Sequence, residues 1–91
     1  MIVVRATFVA KPGMASKLAA MMHDCFGPNA RVLTDLVGDF NTVVLEHEAE
    51  SWEAYEAHRG KLMSDPAFKE KMAGYTDLYL TGKREVFQVV G

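Results

Sequence analysis

Apolar and mixed positions alternate along the first segment of the chain, IVVRATFVA, at residues 2–10. Every second residue from Ile2 to Phe8 is apolar, whereas the positions between them include arginine and threonine. A period of two with many β-branched residues predicts a β-strand with one apolar face and a second face that tolerates polar side chains. The Lys-Pro-Gly sequence at 11–13 ends this strand.

The next periodic segment repeats its apolar residues every three or four positions. Met14, Leu18 and Cys25 lie on one stripe, which predicts an amphipathic helix over residues 13–26. Gly-Pro-Asn follows and stops that helix.

A second helix is predicted over residues 52–63. Ser51 is a favourable N-cap, and Glu53 suits the positive end of the helix dipole. Gly60 inside this helix costs about 1 kcal/mol relative to alanine, so we expect it to mark close packing or a bend. The apolar and aromatic side of the helix holds Trp52, Tyr55, Arg59, Leu62 and Met63.

A short third helix begins at Asp65, because Asp as N-cap followed by Pro at the first helical position is a strong start signal. Gly74 is its expected C-terminal cap.

The remaining segments have strand character. Residues 31–37 and 42–48 flank a Gly-Asp-Phe-Asn turn, which predicts a β-hairpin. The C-terminal segment, residues 75–90, is either a second hairpin or one long strand with a bulge at Gly82.

The element order is therefore β-α-β-β-α(α)-β, in two similar halves at 1–37 and 42–90. This order predicts an α+β fold of the ferredoxin-like split-βαβ type, with helices on one face of an antiparallel sheet. The face of the sheet away from the helices also carries apolar residues, and such a surface favours packing against another protein surface. We therefore expect a homodimer packed sheet to sheet that encloses a cavity.

Composition narrows the class of protein. Ninety-one residues, of which 49% are hydrophobic, predict one domain spanning 1–91. The single cysteine excludes an internal disulfide, and no Cys/His spacing indicates structural zinc. A net charge of −2 with scattered cations argues against nucleic-acid binding. No segment has the length of a membrane span or the pattern of a signal peptide, so a cytoplasmic location is expected.

Four segments carry a family resemblance over nearly the whole chain: VAKPG, VVLEHEAES, LMSDPAFKEKM and GKREVFQV. With them the chain resembles the dimeric α/β-barrel superfamily, and more narrowly its antibiotic-biosynthesis-monooxygenase-like and NIPSNAP-like members. The resemblance implies a homodimer with a ligand cavity between sheet and helices. Its members include cofactor-independent oxygenases of polycyclic phenols, haem-degrading enzymes and small isomerases. The haem-degrading members rely on a first-strand Asn, which this chain lacks, so no cofactor is expected.

Three residues are candidates for catalysis. Tyr55 and His58 lie three positions apart on a helix, so they form either a polar rim or an acid–base pair at a pocket mouth. Tyr79 either donates to a ligand or packs with its hydroxyl satisfied. Trp52 is a candidate ligand contact, although packing in the core or at an interface explains it more simply. His47 is expected to be solvated, because no second histidine follows at metal-binding spacing.

Arg5 is the leading candidate for ligand binding. A strand of this pattern places it on the face away from the helices, where burial would require a carboxylate from a neighbouring strand, either Asp35 or Glu46. The arginine is then either part of an interface or structural ion pair or an anchor for an anionic or carbonyl ligand. Thr7 lies on the same face of the strand.

Two functions lead, and haem binding is a distant third. The first is a cofactor-independent monooxygenase-like enzyme or isomerase that acts on a small aromatic or polyketide-like substrate. The second is a non-catalytic or stress-associated dimer that binds a small apolar or aromatic ligand.

Overall fold

The computed structural model describes residues 1–91 and contains four strands and three α-helices. In chain order the elements are β1 (Ile2–Ala10), α1 (Ala15–Phe26), β2 (Arg31–Thr34), β3 (Thr42–Ala49), α2 (Trp52–Ser64), α3 (Pro66–Lys71) and β4 (Tyr79–Gln88), with short 3₁₀ turns at Gly27–Asn29 and Tyr75–Asp77. This is the element order that the sequence predicts.

The four strands form one antiparallel sheet in the order β2-β3-β1-β4. The helices cover one face of that sheet, which confirms the predicted α+β, ferredoxin-like architecture. We call the covered side the helix face and the other side the open face. Side chains alternate between them, so Val4 lies on the helix face and Arg5 on the open face.

The core lies between the helix face and the helices. Leu18 and Met22 of α1 are fully buried and four positions apart, as the predicted amphipathic stripe requires. The main cluster comprises Ala6, Ala10, Leu18, Met22, Val43, Leu45 and Leu78. A smaller cluster joins α2 to the sheet through Ile2, Val4 and Tyr55.

The predicted helix starts are confirmed by their hydrogen bonds. The Ser51 hydroxyl accepts from the backbone N–H of Ala54 at 3.1 Å, and the Asp65 carboxylate accepts from that of Ala67 at 3.0 Å. Both bonds satisfy amides that the first turn of a helix leaves without partners. The two caps therefore set where α2 and α3 begin.

Strand β2 ends at Thr34, three residues before its predicted end. The Asp35 carboxylate accepts from the backbone N–H of Thr42 at 2.9 Å and closes the hairpin there. Phe40 and Asn41 have left-handed φ angles of 67° and 54°, which turn the chain back into β3. The loop is thus longer than the predicted four-residue turn.

The C-terminal segment contains a single strand, and its bulge is not at Gly82. The register against β1 shifts between Thr81 and Tyr79, so Leu80 is the extra residue. Gly82 instead allows close approach to the ring of Phe8, because a Cβ at this position would lie 2.9 Å from Phe8 Cδ1.

Gly60 lies in the unbroken helix α2, and a Cβ there would have no neighbour within 4 Å. The expectation that Gly60 marks close packing is therefore wrong. None of the helices combines the length and the hydropathy that crossing a bilayer requires.

Candidate functional site

A mainly apolar cleft lies between the helix face and helices α2 and α3. It has two compartments. The histidine compartment encloses about 70 Å³ and is lined by Val4, Ala6, Phe26, Asn29, Ala30, Leu45, His47, Tyr55, His58, Arg59, Leu62, Met63 and Arg84. The methionine compartment encloses about 260 Å³ and is lined by Ala6, Phe8, Met22, Phe26, Leu45, Met63, Phe68, Lys69, Met72, Tyr75 and Arg84.

The two compartments are adjacent, since they share five lining residues: Ala6, Phe26, Leu45, Met63 and Arg84. Their combined size is near the lower end of ligand pockets, roughly 300 Å³. Apolar walls with a few convergent polar groups are typical of sites for small organic ligands. We name the whole space the cleft.

His47 is the central polar group of the histidine compartment. Its Nδ1 atom is buried and has no hydrogen-bond partner, and its ring lies 5.5 Å from that of Tyr55. Burial lowers the pKa of His47 below its usual value of 6.5, and electrostatic repulsion from His58 and Arg84 lowers it further. The imidazole is therefore neutral at pH 7.

The expectation of a solvated His47 is wrong, and alternation along β3 explains why. Val43 and Leu45 are buried on the helix face. His47 is two residues further along the strand, so its side chain points to the same face. Helix α2 then covers that position through Tyr55. The sequence contains this signal, but the polar surroundings of His47 in the sequence conceal it.

The structure brings two of the predicted catalytic residues together in the cleft. Tyr55 is 5% exposed and His58 is exposed, and both line the histidine compartment. Trp52 lines neither compartment. Its ring is 5.5 Å from that of Tyr55, and half of the residue is exposed to solvent. Tyr55 and His58 therefore line the same compartment, whereas Trp52 packs on Tyr55 from outside it.

Tyr79 lines neither compartment of the cleft. It packs at the start of β4, with ring centroids 4.9 Å from Phe8 and 5.8 Å from Tyr75. Burial and the neighbouring Tyr75 raise the pKa of its phenol. The residue that reaches the methionine compartment is Tyr75.

Two arginines that sequence reasoning did not single out line the cleft. Arg59 comes from α2, and Arg84 comes from β4 opposite Ala6 on the helix face. Neither guanidinium has a carboxylate within salt-bridge distance. The alternation of side chains along β4 places Arg84 on the helix face, but this can be deduced only when the register of β4 against β1 is known.

The open face carries a separate cluster of charges. Arg5 Nε donates to Glu46 Oε2 at 2.9 Å, and Arg31 donates to Glu46 Oε1 at 2.5 Å. Hydrogen bonds from Arg31 and then Arg5 lower the pKa of Glu46, whose side chain is only 11% exposed. Arg5 also lies over the ring of Phe87 at 5.2 Å. Of the two predicted carboxylates Glu46 is the partner of Arg5, whereas Asp35 closes the β2–β3 hairpin.

None of the five predicted ligand-binding residues therefore lines the cleft. Arg5, Thr7 and Glu46 share the open face, where Thr7 borders a shallow depression with Thr42 and Lys83. No group of three or more His, Cys, Asp and Glu side chains is arranged to hold a metal ion.

Comparison with solved structures identifies the fold. A NIPSNAP domain protein from Burkholderia xenovorans has a TM-score of 0.84 at 18% identity, covering 99% of this chain and 95% of that one. A NIPSNAP family protein from Agrobacterium tumefaciens has a TM-score of 0.82 at 15% identity, with coverages of 98% and 92%. A proposed antibiotic biosynthesis monooxygenase from Chloroflexus aurantiacus has 0.75 at 19% identity, with coverages of 99% and 93%.

No family sequence model matches the chain, and no curated protein matches it either. The structural likeness extends over nearly the whole chain, although the sequences have diverged far. The chain therefore has the fold shared by NIPSNAP-domain proteins and antibiotic-biosynthesis-monooxygenase-like proteins.

Proposed function

We propose that the cleft binds a small aromatic or polyketide-like compound and that His47 removes a proton from it in a cofactor-independent, monooxygenase-like reaction. The observation that carries this proposal is His47, which lines an otherwise largely apolar compartment and whose buried Nδ1 has no hydrogen-bond partner within the protein. A neutral imidazole is the form that can accept a proton.

The reaction begins with transfer of a substrate proton to the His47 imidazole. The resulting carbanion or enolate forms a carbon–oxygen bond with O₂, and the peroxide anion takes the proton back from the His47 imidazolium. The hydroperoxide then loses the remaining hydrogen of that carbon together with its outer OH group as water, which breaks the O–O bond and leaves a carbonyl group. A methylene carbon thus loses two hydrogens and gains one oxygen, while the second oxygen leaves as water. The substrate supplies all four electrons that O₂ accepts. The guanidinium of Arg59 lines the same compartment and would stabilise the anion.

Oxygen uptake tests the proposal with a panel of anthrone-type and phenolic compounds. We expect wild-type protein to consume one O₂ per substrate molecule, and His47→Gln to lose about 100-fold or more of the rate. His23→Gln is the matched control, because that side chain is 74% exposed and lines neither compartment of the cleft. Full turnover by His47→Gln, or no uptake by the wild type with any member of the panel, would contradict the proposal.

A non-catalytic ligand-binding role is the second candidate. It is favoured by the mouth of the cleft, where His58 and Arg84 are exposed to solvent. Closed, water-free sites suit carbanion chemistry better. Native mass spectrometry of freshly purified protein distinguishes the two roles, since a bound aromatic that is recovered unchanged, without oxygen uptake, would indicate binding alone.

We also propose that the protein acts as a homodimer joined through the open face. No helix covers this face, yet Val3, Val9 and Val44 are only partly exposed, and Glu46 is held by two arginines. Packing two such faces together would remove apolar surface from water. The partner face could also satisfy the outer donors of Arg5.

A further inference from the structure

We infer that the ligand of the cleft is a permanently anionic aromatic compound, such as an aryl or polyketide-type carboxylate, whose acid group binds Arg84 and Arg59. This inference rests on the proposed function, because it assigns the substrate class of the same cleft. It goes further in requiring a charge that the ligand carries before any proton is removed.

The charges that line the cleft are all of one sign. The two compartments contain Arg59, Lys69 and Arg84, and no Asp or Glu lines either of them. The chain as a whole has more acidic than basic residues, with a net charge of −2. The cleft is thus rich in cations although the chain as a whole is slightly acidic. Its concave, low-dielectric walls strengthen the positive electrostatic potential of these cations.

The arginines of the cleft differ from those of the open face in their partners. Arg5 and Arg31 both bind Glu46, whereas Arg59 and Arg84 have no carboxylate within 4.0 Å. A guanidinium presents a planar set of donors that matches a carboxylate in a bidentate pair. The unpaired arginines of the cleft therefore have their donors free for a carboxylate that arrives with the ligand.

The position of Arg84 indicates how such a ligand would lie. Arg84 is the one cation that borders both compartments, and Arg59 faces the histidine compartment from helix α2. The methionine compartment is lined mainly by apolar side chains and suits a ring system. The acid group would then bind at Arg84, between the rings and His47.

Binding of an acid at Arg84 would also assist His47. The charge of Arg84 is one of the causes that lower the pKa of His47. A carboxylate paired with Arg84 would offset that charge and make the imidazole a stronger base. A neutral ligand would leave the two guanidinium charges of the cleft without compensation.

A matched pair of probes tests this inference by isothermal titration calorimetry: 2-naphthoate and the neutral, nearly isosteric 2-naphthamide. We expect the wild type to bind the carboxylate at least 10-fold more tightly than the amide. Arg84→Gln and Arg59→Gln should each weaken carboxylate binding about 10-fold, the size of a charge-assisted hydrogen bond, and leave amide binding unchanged. Lys61→Gln is the control, because Lys61 is exposed on α2 and lines neither compartment.

Far-ultraviolet circular dichroism of each variant shows whether it is folded. Equal affinity for the two probes, or an equal loss for both in the arginine variants, would overturn the anionic class and leave the proposed oxygenase standing. Failure of both probes to bind would overturn this inference together with the aromatic-binding cleft on which it rests.

Discussion

The imidazole of His47 lies against the phenol ring of Tyr55, with centroids 5.5 Å apart and planes inclined by 34°. The contact joins the last part of β3 to the first turn of α2 across the short connection between them. Tyr55 also packs on Ile2 and Val4, so this one residue both attaches α2 to the sheet and walls the compartment around His47. Stability and chemistry are therefore coupled at this position.

Substitutions of Tyr55 should separate those two roles. Tyr55→Ala removes a buried ring and should lower the free energy of unfolding by about 3 kcal/mol. Tyr55→Phe keeps the ring, and the hydroxyl makes no hydrogen bond within the protein, so it should cost less than about 1 kcal/mol. Urea denaturation measures both changes. If the phenylalanine variant lost as much stability as the alanine variant, the ring contact would not be what attaches α2.

The lowered pKa of His47 makes stability depend on pH between neutral and mildly acidic conditions. In the unfolded chain the imidazole binds a proton near pH 6.5, whereas the folded chain resists protonation until lower pH. Acidification therefore favours the unfolded state, and the free energy of unfolding should fall as pH drops below about 6.5. Denaturation at pH 7.5 and 5.5 should show a smaller fall for His47→Gln than for wild type.

Glu46 should give a second pH effect at lower pH. Its folded pKa lies below its usual value of 4.5, so its stabilising contribution is present above pH 4.5 and is lost as pH falls through the folded pKa. At pH 7, Glu46→Gln should cost about 1 kcal/mol, a modest value because Arg5 and Arg31 are 42% and 72% exposed. Glu48→Gln, an exposed position on the same strand face, should change stability little.

A lysine in the open face should prevent dimerisation. Val44 lies near the middle of β3, paired with Thr7 on one side and Leu33 on the other. Val44→Lys places a charge where the partner sheet would pack, so sedimentation velocity at micromolar concentration should change from dimer to monomer. Ala57→Lys, an exposed position on α2, is the matched control and should remain dimeric. A wild type that sediments as a monomer would contradict the proposed assembly.

Alanine substitutions at two glycines distinguish the effect of backbone conformation from that of steric contact. A Cβ at Gly60 or at Gly74 would meet no atom within 4 Å, but only Gly74 has a left-handed φ, of 83°. Gly60→Ala should therefore raise the free energy of unfolding by roughly 0.5–1 kcal/mol. Gly74→Ala should lower it by about 1 kcal/mol or more. Paired chemical denaturation curves measure both, and a loss of stability in Gly60→Ala would reveal a constraint on α2.

Local signals in the sequence were sufficient for most of the secondary structure. The alternation over residues 2–10, the Ser51 cap and the Asp65 start each depend on interactions within a few residues, and all three occur as expected. The placement of Arg5 on the face away from the helices followed from the same alternation. Its pairing with Glu46 needed the register of β1 against β3.

By itself the sequence determined the element types, their order, the helix caps and hence the ferredoxin-like arrangement, because these follow from short-range periodicity and backbone hydrogen bonding. Only the tertiary structure decided which face of the sheet borders the cleft. That choice brought His47, Arg59 and Arg84 together and placed Arg5, Thr7 and Glu46 on the opposite side. These residues are distant in sequence, so their meeting depends on long-range strand register and helix packing, which no local pattern encodes.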